Sequence, residues 1–366
     1  MTDQYEYPLK IVYPGDDRLI QMTQNQLTRE QFIEIAEFDH PSINMNMSDW
    51  VFKGSRKNID ASWYAEEVNN ALDNVSTLTD LHSATNDNLL GCFVVEFNVT
   101  DLCNRHCWMC PHHNENLFPN RKVFMELETV KNTVDDLVKH NFKGEIIFGS
   151  YGEPLLCPNL MSMIAYTSEK LPECSTTLIS NADRLIKGSI PGYGKFDVQD
   201  IIDSGLTNLQ VDGYDNDARL ALYLKELKPL IGIVNLELHR RYMNKMAKSY
   251  LTRAGIMDPK TGLAAERHNN AKGPCYAPIT KAFIDPEGIL RACCHNWDRK
   301  LGDHGNVNET PFSELWRHSQ SLNDLRKKIY HDRNTVDVCS NCDAGGCTRN
   351  VTGRAAKILW KDILSD

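Results

Sequence analysis

The sequence has no run of apolar residues near the roughly 18 that a membrane-spanning helix needs. It also lacks a basic excess. Forty lysines and arginines stand against 49 aspartates and glutamates, a formal charge of −9. Nucleic-acid binders show a basic balance or a dense basic stripe, so neither nucleic acid nor membrane is an expected partner. The basic clusters His239-Arg240-Arg241 and Arg326-Lys327-Lys328 read as solvated helix faces. The opening residues MTDQYEYPLK have no apolar core of the kind a signal peptide requires, and the expected location is the cytoplasm.

Cysteine, by contrast, is plentiful. Twelve are present among 366 residues, and they are unevenly placed. In a reducing compartment such residues serve as metal ligands or small buried groups rather than as disulfides. Cys103, Cys107 and Cys110 form one group, Cys275, Cys293 and Cys294 a second, and Cys339, Cys342 and Cys347 a third. Cys92, Cys157 and Cys174 stand alone and are expected to pack as small hydrophobes.

The length predicts two or three domains. Residues 1–90 carry few signals beyond short helices over Gln26–Phe38, after the possible cap Thr23, and Ala61–Leu72. They are expected to be an accessory region, a substrate-recognition region or a wrap over the next domain. From about residue 92, strands alternate with helices. Strands are predicted at Phe93–Phe97, Glu145–Phe148, Thr176–Ile179, Leu209–Val211 and Ile233–Leu238. Helices are predicted at Leu127–Val138, Leu160–Leu171, Val198–Ser204 and Asp217–Lys228, with Val130, Val134, Leu137 and Val138 on one face of the first. This alternation predicts a parallel sheet in a full or partial α/β barrel. Reactive groups in such folds lie beyond the C-terminal strand ends. The first cysteine group, the loop Gly149–Pro154, Ser180-Asn181 and Asp212-Gly213 all fall there. After residue 245 a polar linker over 246–272 is expected. A β-hairpin around Asp285-Pro286-Glu287-Gly288 and a helix over Pro311–His318 follow, flanked by the later cysteines.

Three thiolates on one loop can hold three irons of a cubane and leave the fourth open to a small molecule. Structural zinc is the alternative, with His106, His112 or His113 as fourth ligand. The C-x3-C-x2-C spacing of Cys103, Cys107 and Cys110 resembles the signature of the radical S-adenosylmethionine superfamily. Gly149-Ser150-Tyr151-Gly152-Glu153-Pro154 resembles that family's loop at the methionine amino group. Ser180-Asn181 resembles its segment near the ribose. The residue before the third cysteine is Met109, where the family often has an aromatic, and its backbone is expected to meet the adenine. The resemblance covers about residues 92–240 and implies a partial (β/α)6-type barrel. Cofactor-binding residues implied by it are Met109, Gly149, Gly152, Glu153, Pro154, Ser180 and Asn181.

The later cysteines resemble the SPASM/twitch extension of radical enzymes. Their number favours one auxiliary [4Fe–4S] cluster on Cys275, Cys293, Cys339 and Cys342, with Cys347 or Cys294 able to replace one of these. The implied domains are 1–90, a radical core over 91–245, the linker 246–272, and a hairpin-plus-helix iron–sulfur domain over 273–366. The implied activity is reductive cleavage of S-adenosylmethionine to a 5′-deoxyadenosyl radical, hydrogen abstraction, and oxidation of the substrate radical through the auxiliary cluster. The substrate would be a small alcohol or aminocyclitol, or a peptide side chain as in SPASM maturases. A flavodoxin or ferredoxin would supply electrons. The catalytic base is not assigned, with His239, Arg240 and Arg241 as candidates. A non-catalytic zinc-binding scaffold is the rival of another class.

Overall fold

The structure is a computed structural model that describes residues 27–45, 49–56, 89, 91–107, 110–113, 115–116, 118–241, 275–340 and 342. The expected helix at Ala61–Leu72, the linker, Met109 and Cys347 lie outside these residues.

Helix α1 (Arg29–Ala36) opens the described chain. Its cap is Thr28, not Thr23: the Thr28 hydroxyl accepts from the Gln31 amide, and the Gln31 side chain accepts from the Thr28 amide. Strand β1 (Asp49–Phe52) follows. The βα alternation then runs β2 (Val94–Phe97), α2 (Leu127–Lys139), β3 (Glu145–Phe148), α3 (Leu160–Lys170), β4 (Ser175–Ser180), α4 (Val198–Asp203), β5 (Asn208–Gly213), α5 (Asp217–Leu227) and β6 (Asn235–Arg240). Within α2, Val130, Val134 and Leu137 are buried while Val138 is exposed. Val138 lies about 80° round the helix from Val130, at the edge of the apolar stripe. Gly205, with φ of 78°, supplies the left-handed residue after α4.

The C-terminal part adds α6 (Ala277–Thr280), β7 (Lys281–Ile284), β8 (Leu290–Arg291), α7 (Phe312–His318), α8 (Gln320–Asp332) and α9 (Asp337–Ser340). All eight strands form one sheet in the order β1-β6-β5-β4-β3-β2-β7-β8. The six strands from β6 through β7 are mutually parallel, and β1 and β8 flank them antiparallel. This is the partial parallel barrel with helices outside. Its sixth parallel strand comes from the C-terminal hairpin, because β7 pairs with β2 from Val94↔Lys281 to Phe97↔Ile284. The later cysteines are thereby anchored beside the strand that precedes the first group.

The described N-terminal residues wrap the opposite edge. β1 pairs with β6, and α1 packs against α5. Trp50 is fully buried, edge-on to Phe32 at 4.6 Å; truncating such a residue to alanine costs about 3–5 kcal/mol. Arg56 donates to the carbonyls of Ile202 and Leu206 at 2.5 and 2.6 Å.

Only part of the basic clusters is solvated helix face, Lys328 being exposed on α8. Arg326 is buried on α8, donates to the carbonyls of Pro278 and Trp316, and lies over the Trp316 ring at 4.3 Å. His239 and Arg240 belong to β6. Trp316 Nε1 donates to the Leu89 carbonyl at 2.8 Å, and Asp136 of α2 caps Ser313 of α7 at 2.7 Å. These bonds fasten the C-terminal helices to the barrel.

Candidate active site

A cavity of about 130 Å³ opens beyond the C-terminal ends of the parallel strands. The loop after β2 brings Cys103, Arg105, Cys107 and Cys110 to it. The loop after β3 brings Ser150, Tyr151, Gly152 and Glu153, and β4 brings Ile179, Ser180 and Asn181. Asp212 and Tyr214 arrive from β5, and Arg241 follows β6. Five strand ends therefore converge on one space. Of the residues expected here, the three cysteines, Gly152, Glu153, Ser180 and Asn181 are brought together. Gly149 and Pro154 are not among the lining residues: the Gly149 amide bonds to the Phe97 carbonyl, and Pro154 is buried at the start of a short 3-10 turn.

The local chain explains these positions. Asn120 holds Cys103 at both backbone groups, accepting its amide at 2.8 Å and donating to its carbonyl at 2.9 Å. The Arg105 amide points at the Cys103 sulfur at 3.4 Å. A Cβ on Gly152 would stand 2.0 Å from the Thr100 carbonyl oxygen, so only glycine lets the β3 loop lie against the cysteine loop. Ser150 holds a φ of 96°, a strained value for a residue with a side chain. The Glu153 amide donates to the Leu102 carbonyl at 2.8 Å.

Glu153 is fully engaged by protein. It accepts from the Ser180 hydroxyl at 2.6 Å, the Asn181 amide at 2.8 Å and the Leu155 amide at 3.1 Å. Burial nevertheless pushes its carboxyl up to about 7, with these donors opposing. Here the glutamate ties the β3 loop to the end of β4. Burial also raises the Cys107 thiol to about 12 and the Cys103 thiol well above its ordinary value. Thiols in such a place become ligands when a bound cation stabilises their thiolates.

Sequence reasoning missed Arg105, Tyr151 and Tyr214 as wall residues, although Tyr151 stands inside the Gly-rich loop. The Tyr151 ring meets Phe118 and Phe283 edge-on at 5.1 and 5.7 Å. Its hydroxyl is buried with no hydrogen-bond partner among the described residues. Burial raises its phenol well above the ordinary value, and Cys294, Cys293, Glu96 and Cys110 act in the same direction. Among the three candidates for a base, Arg241 lines the cavity and pairs with Asp212 at 3.0 Å. Arg240 pairs instead with Asp217 at 2.7 Å and donates to the Met45 carbonyl. His239 lies between Asp212 and Glu237.

A second, smaller cavity of about 50 Å³ is lined by Cys275, Cys293, Cys294, Cys339 and Cys342, with Lys281 and Arg333 beside them. Arg333 donates to the carbonyls of Cys339 and Cys342. Among the described residues no three His, Cys, Asp or Glu donors gather at single-ion spacing. The fit to iron–sulfur groups therefore rests on the donor chemistry, all thiols, and on each set facing one shared space. Cys92, Cys157 and Cys174 are buried in the core, as expected.

Comparison with known proteins agrees with this arrangement. Residues 97–228 match the radical SAM superfamily, and residues 275–343 match SPASM, an iron–sulfur cluster-binding domain. The S-adenosyl-L-methionine-dependent 2-deoxy-scyllo-inosamine dehydrogenase of Niallia circulans is 27% identical over 256 residues, which are 68% of this chain and 92% of that protein. The crystal structure of BtrN in complex with AdoMet and 2-DOIA is 25% identical with a TM-score of 0.53, covering 71% of this chain and 96% of that one. Streptococcus suis SuiB bound to precursor peptide SuiA matches at 13% identity and a TM-score of 0.40, over 78% of this chain and 84% of that one. The chain is a radical S-adenosylmethionine enzyme with a C-terminal SPASM-type iron–sulfur domain. The two domains imply use of S-adenosylmethionine, a [4Fe–4S] cluster that binds it, and an auxiliary iron–sulfur cluster. Among the described residues no helix is long and apolar enough to cross a membrane.

Proposed function

We propose that this enzyme dehydrogenates a hydroxyl group of a small polar molecule of the aminocyclitol class. Cys103, Cys107 and Cys110 would ligate the cluster that binds S-adenosylmethionine, and Cys275, Cys293, Cys339 and Cys342 the auxiliary one. The observation that carries the reading is the position of Tyr151. It lines the first cavity, and its ring meets Phe283 of β7, the strand whose Lys281 lines the second. A substrate against Tyr151 would thus lie between the group that starts the radical and the group that accepts an electron.

When bound, the first cluster supplies one electron that cleaves S-adenosylmethionine to methionine and the 5′-deoxyadenosyl radical. The protein's own part is binding and orientation. Gly152 lets the β3 loop lie against the cysteine loop, and Glu153 fixes Ser180 and Asn181 on the far wall. Arg241, steadied by Asp212, offers a guanidinium to a substrate oxygen on which charge develops. Ile179 on the wall, with Phe118 and Phe283 packed against the wall residue Tyr151, supports exclusion of water. A single auxiliary cluster and a small-molecule relative both favour a small substrate over a peptide. The reading places the enzyme in the cytoplasm with a flavodoxin or ferredoxin as donor. It divides the chain into an accessory region over 1–90, a radical core over 91–245, a linker over 246–272 and the auxiliary domain over 273–366.

The test is anaerobic incubation with dithionite, S-adenosylmethionine and 2-deoxy-scyllo-inosamine or related aminocyclitols. Formation of 5′-deoxyadenosine together with a product two hydrogens lighter supports the reading. A product two hydrogens lighter from a peptide, with none from any aminocyclitol, overturns it.

A further inference from the structure

Asp183 lies just behind the cavity wall, fully buried in the turn after β4. Its Oδ2 accepts from Arg105 Nε at 2.6 Å and from Asn104 Nδ2 at 2.7 Å. Its Oδ1 accepts from Arg105 Nη2 at 2.7 Å, Tyr223 Oη at 2.6 Å and Arg219 Nη2 at 2.9 Å. Asn104 and Arg105 are two of the three residues between Cys103 and Cys107. The Asn104 side chain also accepts from Asn181 Nδ2 at 2.9 Å, and Asn181 Oδ1 accepts from the Asp183 amide at 3.0 Å. One carboxylate therefore joins the cysteine loop, the end of β4 and helix α5. Burial would push this carboxyl up, but Arg105 and Arg219 hold it down at about 2, so it remains an anion under working conditions.

Neither Asp183 nor Asn104 lines the cavity, whereas Asn181, Arg105 and the thiols do. We propose that Asp183 is a positioning residue for S-adenosylmethionine: it holds the Cys103–Cys107 loop against Ser180-Asn181, so that thiols and β4 end meet the cofactor as one rigid surface. The inference rests on assigning those cysteines to the cluster that binds S-adenosylmethionine. Groups that orient ligands from outside a site typically matter by about 10–100-fold in affinity or activity. A carboxylate held by two guanidiniums, an amide and a phenol is well suited to that task.

The test uses the full-length, iron-reconstituted enzyme and its Asp183→Asn and Asn104→Ala variants. Three properties are measured: iron content, the saturation kinetics of S-adenosylmethionine cleavage, and low-temperature EPR of the reduced protein. Asp183→Asn is expected to keep its iron, raise the KM for S-adenosylmethionine about tenfold or more with a smaller change in maximal rate, and alter the EPR signal of the cofactor-bound state. Asn104→Ala removes one of the links without stranding a charge, and a smaller rise of the same kind is expected. Should Asp183→Asn fail to fold, Asn104→Ala decides. Unchanged KM and cofactor-bound EPR in the folded variants would overturn the proposal while leaving the assignment of the cluster intact. A wild-type enzyme that yields no 5′-deoxyadenosine would overturn both.

Discussion

The two cysteine sites differ in how they are built. The first takes three thiols from one loop of eight residues, and its remaining wall comes from the ends of four further strands. The second takes five cysteines from three separated segments, surrounded by Pro278, Leu301, Ile329 and Val338. Three thiols with polar neighbours leave a place for a small molecule. Five thiols in an apolar pocket can satisfy every iron of a cubane and still have one to spare. The contrast suits the proposed division, with initiation at the first site and electron acceptance at the second. The sheet links the two: β7 pairs with β2, so the hairpin that carries Cys293 and Cys294 is joined to the strand that leads into the first cysteine group.

Breaking the first site should have the largest effect. Cys107→Ala is expected to abolish 5′-deoxyadenosine formation and to lower iron from about eight atoms per chain to about four. Chromatography of the nucleoside and iron analysis check this. Breaking the second site should separate the two halves of the reaction. Cys339→Ala is expected to retain 5′-deoxyadenosine formation, to lose the oxidised product, and also to hold about four irons. Gly152→Ala should act on the first site alone. Its new methyl would collide with the Thr100 carbonyl, and a rise of about 10–100-fold in the KM for S-adenosylmethionine is expected. The smallest effect should come from Cys294→Ala. With the four proposed ligands Cys275, Cys293, Cys339 and Cys342 intact, its iron content should match wild type, and product formation should stay within about twofold. A loss as large as that of Cys339→Ala would instead place Cys294 in the ligand set.

Much of the fold was legible because period and position agree. The strands read at 145–148 and 209–211 lie in the parallel strands β3 and β5, and the motifs at their ends become cavity wall. The elements that were not legible depend on partners distant in the chain. β1 is only four residues long and is defined by pairing with β6, nearly 190 residues later. Arg326 reads as a surface cation until the carbonyls of Pro278 and Trp316 are folded onto it. The cysteines declared themselves by spacing, whereas Arg105 and Tyr214 had no local signal. Their roles arise from where β4 and β5 end relative to the loop after β2. Glu153 shows the limit of motif reading. The sequence marks it as important, yet only the fold reveals that its oxygens are held by Ser180, Asn181 and Leu155.

Low-temperature EPR of the dithionite-reduced enzyme, with and without S-adenosylmethionine, tests the division of labour most directly. Two [4Fe–4S] signals are expected in the wild type, of which one shifts when the cofactor is added. Cys107→Ala should lack that signal and keep one that does not respond. A signal in Cys107→Ala that still shifts on adding S-adenosylmethionine would contradict the account.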